Sequence, residues 1–480
     1  NCEMDESLRE RFKAEVRAMR AWTYLGMTMT FGKVPLITEV LDYNSPNIPR
    51  DEVSVIRDFI MKELTEAAAI LPEKYAGGYP NEKGRITKYA CLSLKARAAL
   101  YFGDYALAES TAKEVMDKGG FSLFKISSLS DAQKKEAEEM SLYIDFAEKG
   151  IDKDEFVKGM FNYEALWHTE NANPDNPEYI MTRQYAASSW DYQDMTRYTS
   201  MRPNQLGGWS SVTPTQNLVD AYWGVDGHSV PQLPTPEERA KAYNQIKADL
   251  DAYQKPEGEA KFIAFCQEKI KNGTLKDYKY IQEFRNRDSR MYVSILMPFK
   301  SWYESNYGDK FVYEWIKNGN NESKTGFNFR KMLSLENDAN GDGQATGDYP
   351  CIRYAEILLI YAEAHTQTTG YDAATEAALN QLRDRCGMPD VPSGLSKEEG
   401  LKLIQNERRI ELAGEGFRGD DMTRYSDDYW KEHMNNVPIM TPDGDTELTM
   451  KWSSRMRLKP IPQTAIDLNP LLAGDQNPGY

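Results

Sequence analysis

A chain of 480 residues with 58 basic and 74 acidic side chains carries a net charge of −16 and no Lys/Arg block to offset it. That balance argues against nucleic-acid binding, which rests on neutralising phosphates, and against adsorption to anionic membranes. Hydrophobic residues make up 40%, ordinary globular usage, and no apolar run is long enough to be a transmembrane segment. The unusual resource is aromatic, with 9 Trp, 29 Tyr and 17 Phe. Tyr and Trp join a flat apolar face to a polar edge, a combination suited to sugars and wet interfaces.

From the N-terminus, the chain opens at Asn1 with no signal peptide and runs almost directly into helix-forming sequence. The N-terminus reads as truncated or processed, and Cys2 as an ordinary residue. With Cys91, Cys266, Cys351 and Cys386 it makes five widely spaced cysteines without a CxxC pair. These are expected to be isolated buried thiols. A helix is expected over residues 8–31, stopped by Gly32 and Pro35, and a second over 50–71, stopped by Pro72. Residues 86–118 contain Ala90, Leu94, Ala98 and Tyr101 on one face, then a Gly103-Asp104 break and a further helix. Helix, tight turn and helix with small residues at the contact is a tetratricopeptide-like unit.

Residues 121–349 differ in character. They hold Trp167, Trp190, Trp209, Trp223, Trp302 and Trp315 among many Tyr, Gly, Pro and Asn residues. This composition suits loops and short elements, with longer helices expected only at 131–149 and 237–251. Residues 350–386 then repeat the first arrangement, with Gly370-Tyr371 as the turn. A repeat about 260 residues away implies one helical solenoid built from both ends of the chain. The fold class expected is mainly α, a tetratricopeptide-like scaffold with a loop-rich insertion packed against it. Its stretches are 1–120 (N-terminal repeats), 121–349 (aromatic region) and 350–480 (C-terminal repeat and tail), in one compact body. In the tail, Pro460, Pro462 and the steps Asn469-Pro470 and Asn477-Pro478 force an extended, turn-rich path that holds its shape only when pinned to a folded body.

Six ordered stretches carry a family resemblance. They are Ala14-Glu15-Val16-Arg17 through Trp22 with Phe31-Gly32-Lys33-Val34-Pro35-Leu36; the repeat at 85–108; and Pro214-Thr215 with Leu218-Val219-Asp220-Ala221-Tyr222 and Asp226-Gly227. Asn286-Arg287-Asp288-Ser289-Arg290, Glu407-Arg408-Arg409 through Arg424, and the tail ending Gln476-Asn477-Pro478-Gly479-Tyr480 complete the set. Together they resemble the SusD/RagB family of surface glycan-binding lipoproteins, with Ser289 and Gly419 departing from its usual pattern. The resemblance implies a non-catalytic, lipid-anchored protein of the bacterial outer membrane and cell surface. Such a protein captures oligo- or polysaccharide and delivers it to a SusC-like TonB-dependent transporter.

Nothing in the residues demands catalysis. The four histidines (His168, His228, His365, His433) are not at metal-ligand spacing, and there is no G-x-S-x-G elbow, P-loop or G-x-G-x-x-G. Glu356 and Glu363 share a helix face and are expected to pair with arginines such as Arg353. Glu407, Arg408, Arg409, Arg418 and Arg424 are expected to form an ion-pair network. Asp338, Asn340 and Asp342 with Gly343 match the first half of a calcium loop. Tyr349 at its twelfth position supplies no bidentate carboxylate, so calcium is not favoured. The expected ligand platform is aromatic: Trp190, Tyr192, Trp302, Tyr303 and Trp315, in stretches without amphipathic periodicity. Trp209 and Trp223 lie inside structural motifs and are left out of it. The alternatives are a glycoside hydrolase or other carbohydrate-active enzyme on a helical scaffold, and a ligand-free assembly scaffold.

Overall fold

The computed structural model describes residues 3–42, 44–75, 82–168, 170–185, 201–303, 311–333 and 347–480. Four helices open it: α1 (Glu6–Phe31), α2 (Val53–Ile70), α3 (Lys88–Tyr101) and α4 (Tyr105–Lys118). Each begins or ends where local chemistry dictates. The Asp5 carboxylate accepts the Ser7 and Leu8 amides at the start of α1, and Gly32 ends it at φ 72°. Thr87 and Asp104 cap α3 and α4. Ala14, Ala18, Ala21 and Leu25 of α1 and Ile56, Ile60, Leu64 and Ala67 of α2 are essentially buried, at helical spacing. Small residues let these antiparallel helices approach closely, and each successive helix packs on the last.

The second repeat, helices Tyr354–Thr368 and Ala373–Arg385, docks on the first through α4. Helix Tyr354–Thr368 lies between α4, Ala373–Arg385 and Lys397–Glu411. Ala355, Ile357, Leu358, Leu359, Ile360, Ala362 and Ala364 are all fully buried there. The protein is thus mainly helical, with a solenoid built from both ends of the chain.

Among the described residues the β-structure is confined to two-stranded antiparallel pairs. Strand Tyr179–Arg183, inside the insertion, pairs with Tyr349–Arg353 at its C-terminal end. Smaller pairs join 295–296 to 328–329 and 301–302 to 311–312. The segment 131–149 is not one helix. It breaks after Glu139 into a 3-10 turn at Met140–Leu142 and restarts at Phe146. Asn286 causes the break: its amide donates to the Tyr143 carbonyl (2.8 Å) and its Oδ1 accepts the Asp145 amide (2.9 Å). Helix Lys153–Ala165, absent from the sequence expectation, crosses the interior, where Phe156, Met160, Phe161 and Tyr163 are fully buried. Gly159 permits this crossing, because a Cβ there would lie 2.2 Å from the Cys386 carbonyl carbon.

Buried charges bind the insertion to the solenoid. The Glu411 carboxylate accepts from Arg290 (2.9 Å), Arg353 (2.8 Å) and Arg385. Glu407 accepts from Arg290 and Arg383, each at 2.7 Å, and from the Trp223 indole at 3.1 Å. Arg353 also reaches Glu178 and Glu415. The motifs around Arg290, Arg353 and Glu407 therefore meet at one cluster. Glu356 pairs with Arg97 and Glu363 with Arg424, not with Arg353. Arg408 and Arg424 join through Asp421. Arg409 and Arg418 stay outside the network: Arg409 bonds Asn217, and Arg418 bonds the Tyr429 hydroxyl.

The tail is pinned as its prolines require. The Asn477 amide group donates to the carbonyls of Phe31 (2.9 Å) and Lys459 (2.7 Å), and its oxygen accepts from Arg50 (3.2 Å). Among the described residues no helix is long and apolar enough to cross a membrane.

Candidate functional site

An exposed tryptophan costs hydration, so its position is informative. Trp302 is 1% exposed, its ring edge-on to Phe311 with the Arg330 guanidinium 5.0 Å above it. Trp315 is 5% exposed and donates its indole N–H to the Ser323 carbonyl at 2.9 Å. Both belong to the core and not to an aromatic platform. The short strand pair 301–302/311–312 turns Trp302 and Phe311 inward together, and Tyr243 packs edge-on against Trp315. Tyr303 is half-buried, and its hydroxyl donates to the Glu139 carboxylate. Trp190 and Tyr192 lie outside the described residues, as do Asp338, Asn340 and Asp342. Among the described residues, no group of three or more His, Cys, Asp or Glu side chains is placed to hold a metal.

The surface aromatic is Trp209, 44% exposed and the most exposed tryptophan among the described residues. Its loop is built to hold it. The Leu206 and Gly208 amides donate to the Pro203 carbonyl (2.9 and 3.0 Å), the Gly207 amide to Asn204 (2.8 Å), and the Ser210 amide to Arg202 (3.0 Å). Gly207 sits at φ 77°, and Ser210 takes φ 46°, a strained value for a residue with a side chain. Gly208 has no room for a side chain, since a Cβ would come 2.2 Å from the Arg202 carbonyl oxygen. Gln205 ties the loop to the core by accepting the Glu314 amide (3.0 Å). A knotted, strained loop that presents one indole to solvent is a preorganised flat apolar surface. Val212, three residues on, is likewise 44% exposed. The sequence signal was the Gly207-Gly208 pair before Trp209, a turn that needs positive φ and close backbone approach. Reading the motif as wholly structural hid it. For Trp223, 8% exposed, that reading holds.

The buried carboxylates of Glu407, Glu411 and Glu415 are engaged by cations. Burial alone would raise the Glu407, Glu411 and Glu415 carboxyls, but the arginines around them outweigh it and hold all three below the usual range. A general acid for glycoside hydrolysis needs the opposite shift.

Separately, a groove of about 880 Å³ opens between the loop around residue 230, helix Lys397–Glu411 and helix Asp427–Met434. Trp223, Tyr425 and Tyr429 line it, with Arg409 and His433.

Residues 177–480 match the model of the SusD family. A SusD-like protein, P38, from Formosa agariphila is 22% identical over 429 residues, covering 86% of this chain. The chain spans 66% of that relative's length, just under two thirds. A crystal structure of a SusD-like protein from Bacteroides fragilis superposes with a TM-score of 0.70 at 26% identity, covering 99% of this chain and 81% of that one. A SusD-like carbohydrate-binding protein from the same species shares the fold, with a TM-score of 0.65 at 21% identity over 98% of this chain and 81% of that one. The family-model match takes in the Trp209 loop and the Glu407–Glu411 cluster, and the chain belongs to the SusD family.

Proposed function

We propose that this chain captures oligo- or polysaccharide non-catalytically at the bacterial cell surface, with Trp209 as the centre of the platform. The observation that carries the reading is a single indole held out to solvent by a strained, self-bonded loop. The apolar C–H face of a pyranose buries area on such a ring while its hydroxyls keep their water or reach neighbouring polar groups. An open site of this kind binds at about micromolar to millimolar strength, or about −8 to −4 kcal/mol. The similar carbohydrate-binding protein of B. fragilis supports the ligand class. Trp190 and Tyr192, on the segment preceding the loop, are further candidates for the same platform. The family supports lipid anchoring of the precursor at the outer membrane and delivery to a SusC-like TonB-dependent transporter, for which co-purification with that transporter is the direct test.

The decisive experiment titrates a panel of polysaccharides against wild type and Trp209→Ala, with product analysis alongside. Saturable binding without released sugar is expected. Trp209→Ala should lose at least about tenfold in affinity, about 1.4 kcal/mol. Its stability should change by no more than the roughly 0.5 kcal/mol of an ordinary surface substitution. Released product would instead support a hydrolase, and unaltered binding in Trp209→Ala would place the platform elsewhere.

A further inference from the structure

In a chain of net charge −16, Arg409 and Arg418 have no carboxylate partner among the described residues, although Arg408 and Arg424 beside them are paired. One guanidinium nitrogen of Arg409 donates to the Asn217 backbone carbonyl (3.0 Å) and to the Asn217 side-chain oxygen (2.5 Å). Its Nε and Nη1 make no hydrogen bond among the described residues, and Arg409 lines the 880 Å³ groove. Arg418 stands behind Tyr429, its guanidinium 5.2 Å from the ring centre and 2.9 Å from the hydroxyl. The His433 ring stacks on Tyr429 at 4.0 Å. Its Nδ1 bonds the Tyr429 carbonyl, so that nitrogen carries the proton. Burial first, and then the charges of Arg409 and Arg418, push the His433 imidazole below its ordinary range. Burial, then repulsion from Arg418, lowers Arg409 itself to about 10. The facing acids are already engaged or at the rim. Glu363 is held by Arg424, Asp220 by Arg239 and Asp428 by Lys431, while Glu398 and Glu432 are exposed.

We propose that this groove is a second ligand site, in which Arg409, backed by Arg418, receives the carboxylate or sulfate group of an acidic saccharide while Tyr429 flanks the attached ring. A guanidinium with two unused nitrogens, Nε and Nη1, is shaped for a two-oxygen acceptor. The site is distinct from the Trp209 loop and does not depend on it.

The test uses the whole chain with three probes: a galacturonic acid trisaccharide, a sulfated galactose oligosaccharide and the neutral galactose oligosaccharide of the same length. Sodium sulfate alone is a fourth arm. By calorimetry at low salt, one of the acidic probes should bind at least about tenfold tighter than the neutral one. That preference should weaken as NaCl rises from about 20 to about 300 mM. Arg409→Gln and Arg418→Gln should each reduce the preference for the acidic probe over the neutral one, a preference that Trp209→Ala retains. Tight binding of sulfate alone places recognition in the anion itself; binding only of the acidic sugars requires the ring as well, and either result supports the site. Arg418→Gln removes only a bond to a hydroxyl and a ring contact, so it keeps the test valid if Arg409→Gln unfolds. Equal binding of acidic and neutral probes, or acidic binding indifferent to both substitutions, overturns the proposal. Because the Trp209 variant reads the other site, loss of neutral glycan binding there and loss of acidic binding here are separable outcomes.

Discussion

At the scale of single residues, the charges that look chemical are structural. Glu411 sits fully buried among Arg290, Arg353 and Arg385, with Lys331 close by, and those cations outweigh the burial that would otherwise raise its carboxyl. Removing one partner of such a cluster strands the others, at a cost of about 3–5 kcal/mol. Glu411→Gln is therefore expected to lower the urea midpoint steeply, whereas replacing an exposed acid such as Glu432 leaves it unchanged. The pH dependence follows from the direction of the shift. The folded pKa lies below the unfolded value of about 4.3, so the unfolded chain binds more protons on acidification. The stabilisation is complete above that value and is lost as pH falls toward the folded pKa. A series of urea midpoints between pH 7 and pH 3 should fall with acid for wild type and fall less for Glu411→Gln. The sequence pointed to ion pairing at Glu407 and Arg353 but not to Glu411 as the centre of a cluster. The partners were not legible, because Glu178, Arg290 and Arg385 reach Glu411 or its neighbours only after the chain has folded back. The same limit explains the aromatic residues. Composition cannot tell Trp302, turned inward by a two-residue strand, from Trp209, turned outward by two glycines.

At the scale of elements, the helices with caps and one-sided faces were readable: α1, α2 and the two helix pairs, each punctuated by Gly, Pro, Asp or Thr. Helix Lys153–Ala165 was not, since it is buried on nearly every side and shows no polar face to give contrast. The break in 131–149 was hidden because Asn286, far along the chain, imposes it. The joint between the two repeats was implied by the repetition, and one of its fastenings is specific. His365 on helix Tyr354–Thr368 places Nδ1 2.7 Å from the Glu109 carboxylate of α4 and Nε2 3.1 Å from Asp372, the cap of the next helix. With a carboxylate at each nitrogen, both carry protons. Burial opposes the charge, but the two acids prevail and raise the imidazole above its ordinary value. A raised folded pKa stabilises fully below the unfolded value of about 6.5 and fades as pH climbs through the folded one. His365→Gln should thus cost about 1.5–3 kcal/mol at pH 6, the range for hydrogen bonds to charged groups, and less at pH 9. A thermal-melt difference that is the same at both pH values would show that the joint does not depend on this charge.

At the scale of the whole molecule, the two ends of the chain form one structure. The Lys459 amide donates to the Thr30 carbonyl (2.8 Å), Asn469 reaches the Ile48 carbonyl (2.8 Å), and Asp475 pairs with Arg50 (3.1 Å). Gln476 copies a strand partner, accepting the Ile461 amide at 2.8 Å and donating to the Ile461 carbonyl at 3.1 Å. Leu458 closes over Gly32, where a Cβ would meet its methyl at 2.9 Å. Asn477, 4% exposed, is the centre of this clasp because it satisfies the Phe31 carbonyl, an acceptor left over at the end of α1. Truncating it leaves the Phe31 and Lys459 carbonyls without this donor and Arg50 with Asp475 alone, so Asn477→Ala should cost about 1–3 kcal/mol. The loss should also be local in a way that exposes the clasp. Amides from Thr30 to Lys33 and from Leu458 to Ile461 would exchange faster, while those of helix Lys397–Glu411, held by the buried charges, keep their protection. Leu468→Ala, at a residue 83% exposed in the same tail, is the control and should stay within about 0.5 kcal/mol of wild type. If the two substitutions behaved alike, the tail would be lying on the surface instead of fastening it. The different outcome expected here makes the last residues part of the fold of the first helix.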